Sequence, residues 1–130
     1  MKKPSNIKKL NADPEHQRMA IKFYNRKYHE KRKDYPSYQE SVLRRLIEKE
    51  FVEYEWEYET DAGWFDARVM YNGKEYLIDI DDTRNAYTKE RDRRKREWCK
   101  ENGRNLVTVT RGSSISETAV TLALIKIRGR

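Results

Sequence analysis

A single cysteine, Cys99, stands among 130 residues, which excludes an internal disulfide and any cysteine-rich zinc centre. No apolar run approaches the length of a membrane span. The lysine-rich start also lacks the apolar stretch of a signal peptide, so a soluble, cytoplasmic protein without a membrane partner is expected. Hydrophobic residues are scarce at 36% and charged residues abundant at 39%, which predicts one modest domain with a thin core inside a charged shell. Aromatic residues at 12%, mostly tyrosine, argue against a disordered chain. No internal repeat is visible.

The positive charge is confined to one end. Residues 1–34 hold eleven of the 29 Lys/Arg and four of the 22 Asp/Glu, so the whole net charge of +7 lies there and the remainder is balanced. A basic segment on a neutral body suits a polyanion, nucleic acid being the commonest; a solubilising tail is the plainer reading. The chain thus divides into a basic arm and helix over 1–34 and a core over 35–130.

Residues 1–12 read as a basic arm. Asp13 and Pro14 supply an N-cap and a first-turn proline for a helix running to about Arg32, with Met19, Ala20, Phe23 and Tyr24 as its apolar stripe. A second helix is predicted from about Tyr38 to Glu50, with Val42, Leu43, Leu46 and Ile47 facing inward. Phe51 to Glu59 alternates, which places Val52, Tyr54, Trp56 and Tyr58 on the inner face of a strand and Glu53, Glu55, Glu57 and Glu59 outside. Strands over Trp64–Tyr71 and Lys74–Asp81 flank Asn72-Gly73, a strong hairpin signal. Thr88 is expected to cap a charged helix ending at Asn102-Gly103. A parallel strand from Asn105 to Thr110 and a final helix capped by Ser116 follow.

A two-residue turn sets the hairpin register. With Tyr71 opposite Lys74, Val69 faces Tyr76, Ala67 faces Ile78 and Phe65 faces Ile80 on one apolar face. The same register sets Asp66 opposite Asp79 on the other face, with Asp81 next along, opposite Trp64. Like charges so opposed repel, and one of the pair should titrate with a raised pKa. A divalent cation on two hard oxygen ligands would explain the pair; an acidic patch relieved by arginines such as Arg68 is the structural alternative. A β-bulge would shift this register.

Glu40 falls on the inward stripe of the second helix and could complete a metal site, but Ser37-Tyr38-Gln39-Glu40 also matches a capping box. On the charged helix Arg91, Arg94 or Lys95, and Trp98 share a face. That face is either solvated or able to neutralise a phosphate. His16 and His29 read as surface residues.

The order helix with Glu, strand, strand with Asp, strand with an acidic motif, helix, strand resembles the PD-(D/E)XK, or restriction-endonuclease-like, nuclease superfamily. The nearer likeness is to its very-short-patch-repair branch. It is carried by Phe65-Asp66-Ala67, by Tyr76 to Asp82, by Arg91-Asp92-Arg93-Arg94 and by Asn102 to Val109, over roughly residues 37–111. The resemblance implies an α/β fold with an αβββαβ core, a mixed sheet flanked by helices. It also implies Asp66 and Asp79 as the motif acids and Glu40 as the helix acid. Asp81 stands where many members carry lysine. Either it is a further metal ligand, or Lys89 or Arg91 substitutes from the helix, or catalysis has been lost.

The expected function is therefore a metal-dependent endonuclease hydrolysing DNA, with an inactive nucleic-acid-binding module as the alternative. A protein-interaction factor whose basic arm takes an acidic partner is a third reading. Mg²⁺, or Mn²⁺, would sit on Asp66, Asp79 and Asp81, with Glu40, Lys89 and Arg91 in the reaction. Lys22, Arg26, Lys27, Arg32, Arg94 and Lys95 would contact DNA; the sequence leaves a homodimer open.

Overall fold

In the computed structural model the described residues are 14–82, 86–111 and 115–129. The basic arm and the expected Asp13 cap lie outside them. Two compact units divide the chain, 1–34 and 35–130.

The first unit contains α1, Pro14–Asp34, an acid in its first turn and Lys31, Arg32 and Lys33 in its last. None of its residues is buried, and Met19, Phe23 and Tyr24 of the expected apolar stripe are exposed. Lys27 and Arg32 stand over the rings of Phe23 and Tyr28, which nevertheless remain exposed.

The second unit is α/β: α2 (Tyr38–Glu50), β1 (Glu53–Thr60), β2 (Gly63–Tyr71), β3 (Lys74–Asp82), α3 (Ala86–Glu101), β4 (Asn105–Arg111) and α4 (Glu117–Arg128). The four strands form one mixed sheet in the order β1-β2-β3-β4, antiparallel except for the parallel β3–β4 pair. Asn72 and Gly73 both take positive φ, as the tight hairpin turn demands. The α3 crossover makes β4 parallel to β3. Helix α3 begins at Ala86, so Thr88 lies in its first turn and is not the cap that the sequence suggested. Ser116 does cap α4, accepting a hydrogen bond from the Ala119 amide. No helix among the described residues is long and apolar enough to cross a membrane.

Helices α2 and α4 cover one face of the sheet. Val42, Leu43 and Ile47 pack there with Val120, Ala123, Leu124 and Ile127 over Ala67, Val69, Tyr76, Ile78, Val107 and Val109. Helix α3 covers the other face with a smaller cluster of Phe65, Leu77 and Cys99, joined by Tyr58, Trp98 and Leu106.

The strands depart from ideal alternation at one place, and the candidate site lies there. The β1–β2 partners run from Glu53↔Met70 to Thr60↔Gly63, with Glu57 and Asp66 left out. Glu57 has φ +50°, a left-handed conformation that costs a non-glycine residue about 1–2 kcal/mol. Phe65 packs under α3 while Ala67 packs under α2 and α4, so β2 turns over between them. Trp56 and Tyr58 likewise join opposite clusters. This corrects the expected inner face of β1: Val52 and Tyr54 are exposed, and Glu57 is buried at 4% exposure. It also corrects the hairpin face, because Phe65 leaves it and the β2–β3 ladder stops at Ala67↔Ile78.

Candidate metal centre and its acidic surroundings

Beyond Ile78 side chains replace the missing ladder bonds. The Asp66 amide donates to Asp79 Oδ1 at 3.3 Å, and the Ile80 amide donates to Asp66 Oδ2 at 2.7 Å. Two aspartates in neighbouring strands thus satisfy backbone groups that the splayed strands would otherwise leave without partners. They are close, as the register implied, but they are held by a break in the sheet and not by a regular pair.

Glu40 approaches from α2. The capping box expected of it is present, its amide donating to Ser37 Oγ at 3.3 Å and the Ser37 amide donating to Glu40 Oε1 at 3.1 Å. Its carboxylate is also buried, within reach of Glu57 and Asp66. Ligand atoms of Glu40, Glu57 and Asp66 all lie within 4.8 Å of one another, a group that could hold a metal ion. Arg44 on α2 partly balances it, Nη2 lying 3.8 Å from Glu40 Oε2 and 3.9 Å from Glu57 Oε1, with its guanidinium over the Trp56 ring.

The electrostatics of the two ends differ. Burial opposes ionisation of Glu40, but hydrogen bonding with Glu57 and Ser37 and the charge of Arg44 outweigh it and hold the pKa below its ordinary value. Asp66 is pushed well above the usual carboxylate range, first by burial, then by the charge of Asp79 and a shared hydrogen bond with it; the Ile80 amide only partly offsets these. Hence burial and the neighbouring Asp79 charge both oppose ionisation of Asp66.

Asp79 has a cation of its own. Lys95, reaching from α3 and only 5% exposed, places Nζ 3.0 Å from Asp79 Oδ2 and also donates to the Trp64 carbonyl. Its ammonium lies over the Phe65 ring. Lys95 was expected on the phosphate-binding surface; the structure places it inside, under the acids. Lys89 and Arg91, the two possible substitutes for the motif lysine, are exposed, and among the described residues Arg91 has an ion-pair partner in Asp92 alone, at 3.8 Å. Arg68 is engaged with Glu75 at 2.6 Å and Glu55 at 2.9 Å, so it does not relieve the aspartates.

Asp81 is half-buried on β3 with Arg96 Nη1 4.0 Å away. Near it, Asp92 of α3 is 4% exposed, and neither of its oxygens accepts a hydrogen bond from another described residue. Burial first, then the neighbouring Asp81 carboxyl and the charge of Asp79, push its pKa up to about 7, against the opposing pull of Arg91.

The structure therefore brings Asp66 together with Glu40, sets Asp79 beside them and leaves Asp81 among the groups under α3. Arg94 is exposed on α3. Lys22, Arg26, Lys27 and Arg32 lie on α1, in the other unit. Glu57, Asp92 and the buried role of Lys95 escaped the sequence reading. For α3 a signal existed, since Asp92, Lys95 and the apolar Cys99 recur at i, i+3 and i+7 and form one buried stripe. For Glu57 there was none, because an alternating strand assigned it to solvent.

Comparisons with protein-family models, with curated proteins and with solved structures found no significant match to this chain.

Proposed function

We propose that the chain is a metal-dependent nuclease that hydrolyses DNA phosphodiester bonds. The observation that carries this reading is the convergence of Glu40, Glu57 and Asp66 within 4.8 Å at a break in the sheet, with the Asp79–Lys95 pair alongside. The donors are all hard carboxylate oxygens, with no sulfur or imidazole in the group, which fits Mg²⁺ or Mn²⁺ better than softer ions. The raised pKa of Asp66 fits too, since burial and crowding among acids are what a bound cation relieves. The resemblance to the PD-(D/E)XK nucleases supports the same reading, with Asp66 and Asp79 as its acids and Glu40 as its helix acid.

When bound, a divalent cation supplies Lewis-acid polarisation of a phosphoryl group and a more acidic water. Glu40, Glu57 and Asp66 would hold it. Lys95 beside Asp79 would stand in for the motif lysine that Asp81 replaces here, which in the resemblance holds or polarises the attacking water; Asp79 and the Trp64 carbonyl fix its position. The basic α1 would add salt-sensitive affinity for the phosphate backbone.

A non-catalytic nucleic-acid-binding module is the second reading. It is favoured by Arg44 and Lys95, which already neutralise much of the acidic group. A plasmid-nicking assay with Mg²⁺ and with EDTA separates the two. Cutting in Mg²⁺ that Asp66→Ala abolishes supports the nuclease; salt-dependent retention of DNA without cutting supports the module.

A further inference from the structure

A surface cavity of about 320 Å³ lies between the β1–β2 turn and α3, lined by Asp61, Ala62, Arg91, Arg94 and Trp98. This is the low end of the volume of small-ligand sites, about 300–1,000 Å³. We infer that it is a nucleotide-binding pocket, in which a base packs against the part of the Trp98 indole that lines the cavity, its phosphate meets the Arg91 and Arg94 guanidinium groups and Asp61 accepts from the base edge.

The indole is held in place. Trp98 is half-buried, with Phe65 at a centroid distance of 6.3 Å and the Arg104 guanidinium 5.1 Å from its own centroid, and its remaining surface forms part of the wall. A fixed aromatic wall beside arginines suits a single nucleotide, whose base packs on the ring while its phosphate meets the guanidinium groups. The two arginines are available in a way their neighbour is not. Arg93, on another side of the helix, is neutralised by Glu90 and Glu97, each at 2.6 Å. No carboxylate among the described residues lies within ion-pair distance of Arg94, and Arg91 has only the distant Asp92. They are spaced i, i+3 and point, with Trp98 at i+7, into one cavity.

Asp61 decides against a simple anion site. A carboxylate in the wall repels free phosphate, sulfate or an acidic peptide, yet it suits a ligand that carries amino or imino donors as well as a phosphate. A nucleotide is such a ligand. It could arrive free, as a nucleoside monophosphate, or as one unpaired nucleotide of a strand. The strand form rests on the nucleic-acid reading above, whereas the free form does not. Lys95, on the same helix one residue from Arg94, reaches inward to Asp79, so a nucleotide in the pocket would sit on the outer side of the helix that serves the acidic group.

The test follows the Trp98 indole N–H resonance in the full ¹⁵N-labelled chain, assigned by comparison with Trp98→Phe, in EDTA so that cleavage plays no part. The probes are a nucleoside monophosphate, inorganic phosphate, a short single-stranded oligonucleotide and the same sequence as duplex. The monophosphate is expected to shift the resonance and phosphate alone to leave it in place. Arg94→Ala, an exposed change, should weaken the monophosphate about tenfold, as expected when one charge-assisted hydrogen bond is removed. Equal affinity for monophosphate and oligonucleotide assigns the pocket to free nucleotides; tighter binding of the single strand than of either monophosphate or duplex assigns it to an unpaired nucleotide. A chain that never cuts DNA but gives these shifts would overturn the nuclease reading and keep the pocket. The pocket is overturned if phosphate moves the resonance as far as the nucleotide does, if no probe moves it, or if neither Arg91→Ala nor Arg94→Ala weakens the nucleotide.

Discussion

Asp66 and Asp79 are the same residue type on adjacent strands, and the hairpin register treats them alike; their partners make them different. Asp66 faces other acids and an amide, and Asp79 faces Lys95. Asp66→Asn should therefore raise the melting temperature in EDTA at neutral pH, because the amide oxygen can still accept from Ile80 while the cost of burying an ionisable carboxyl beside Asp79 is removed. Asp79→Asn should lower it, with a loss of about 3–5 kcal/mol in stability, since the buried Lys95 loses its counter-charge. Melting curves of both variants check this, and equal shifts of one sign would show that Lys95 does not distinguish the pair. The raised pKa of Asp66 also sets the pH dependence of any cation bound there. Its proton competes with the ion, so Mg²⁺ affinity by calorimetry should rise with pH through the folded pKa of Asp66. Asp92 gives a separate pH effect. Its pKa moves from 3.8 to about 7 on folding, so the folded chain binds the proton more tightly. Its contribution to stability is complete below the unfolded value and is lost as pH rises through about 7. Denaturant midpoints across that range should fall in the parent, and more shallowly in Asp92→Asn.

Strand β1 shows the cost of building the site at the level of an element. Its acidic and aromatic residues alternate regularly, but Glu57 in the left-handed region turns one acid inward beside Glu40 and Asp66. In an ordinary strand, glycine is less stable than alanine by about 0.5–1 kcal/mol. At Glu57 the order should reverse, with Glu57→Gly melting above Glu57→Ala by about 1 kcal/mol, because only glycine takes that backbone angle without strain. The usual order in thermal melts would mean that β1 is regular there. Helix α3 was legible as a helix but not in its rotation. The repeat of Arg91, Arg94 and Trp98 described a real face, the one lining the cavity. The next stripe, Asp92, Lys95 and Cys99, is the buried one, because α3 sits over the Phe65–Leu77 cluster. In the sequence, the capping box at Ser37 and the site role open to Glu40 stand as alternatives. They prove geometrically compatible, since one carboxylate oxygen accepts the cap bond while the group still faces Glu57.

At the scale of the whole molecule, the net charge and the candidate metal centre belong to different units. The core over 35–130 carries its own sheet and both apolar clusters, whereas α1 buries no residue. Removing residues 1–34 should leave a cooperatively melting core. DNA affinity should fall and its salt dependence flatten, by about 0.9 in log-log slope for each duplex phosphate that is no longer neutralised. Filter binding across a salt series measures it; an unchanged slope would assign the footprint to α3 and its cavity.

The element order, the Asn72-Gly73 hairpin, the parallel return of β4 and the caps at Ser37 and Ser116 were all determined by local sequence, because periodicity, turn chemistry and caps act between near neighbours. The uneven charge was determined the same way. What depended on tertiary structure is the inside of the candidate site. Which acid is buried, which cation reaches Asp79 and where the ladder breaks depend on residues tens of positions apart meeting in space. Lys95 meets Asp79 only after the α3 crossover folds back on the sheet, and Glu40 meets Glu57 and Asp66 only when α2 packs on the opposite face. A strand pattern cannot foretell a break in itself: the conformation of Glu57 is disfavoured locally and is held by the packing around it.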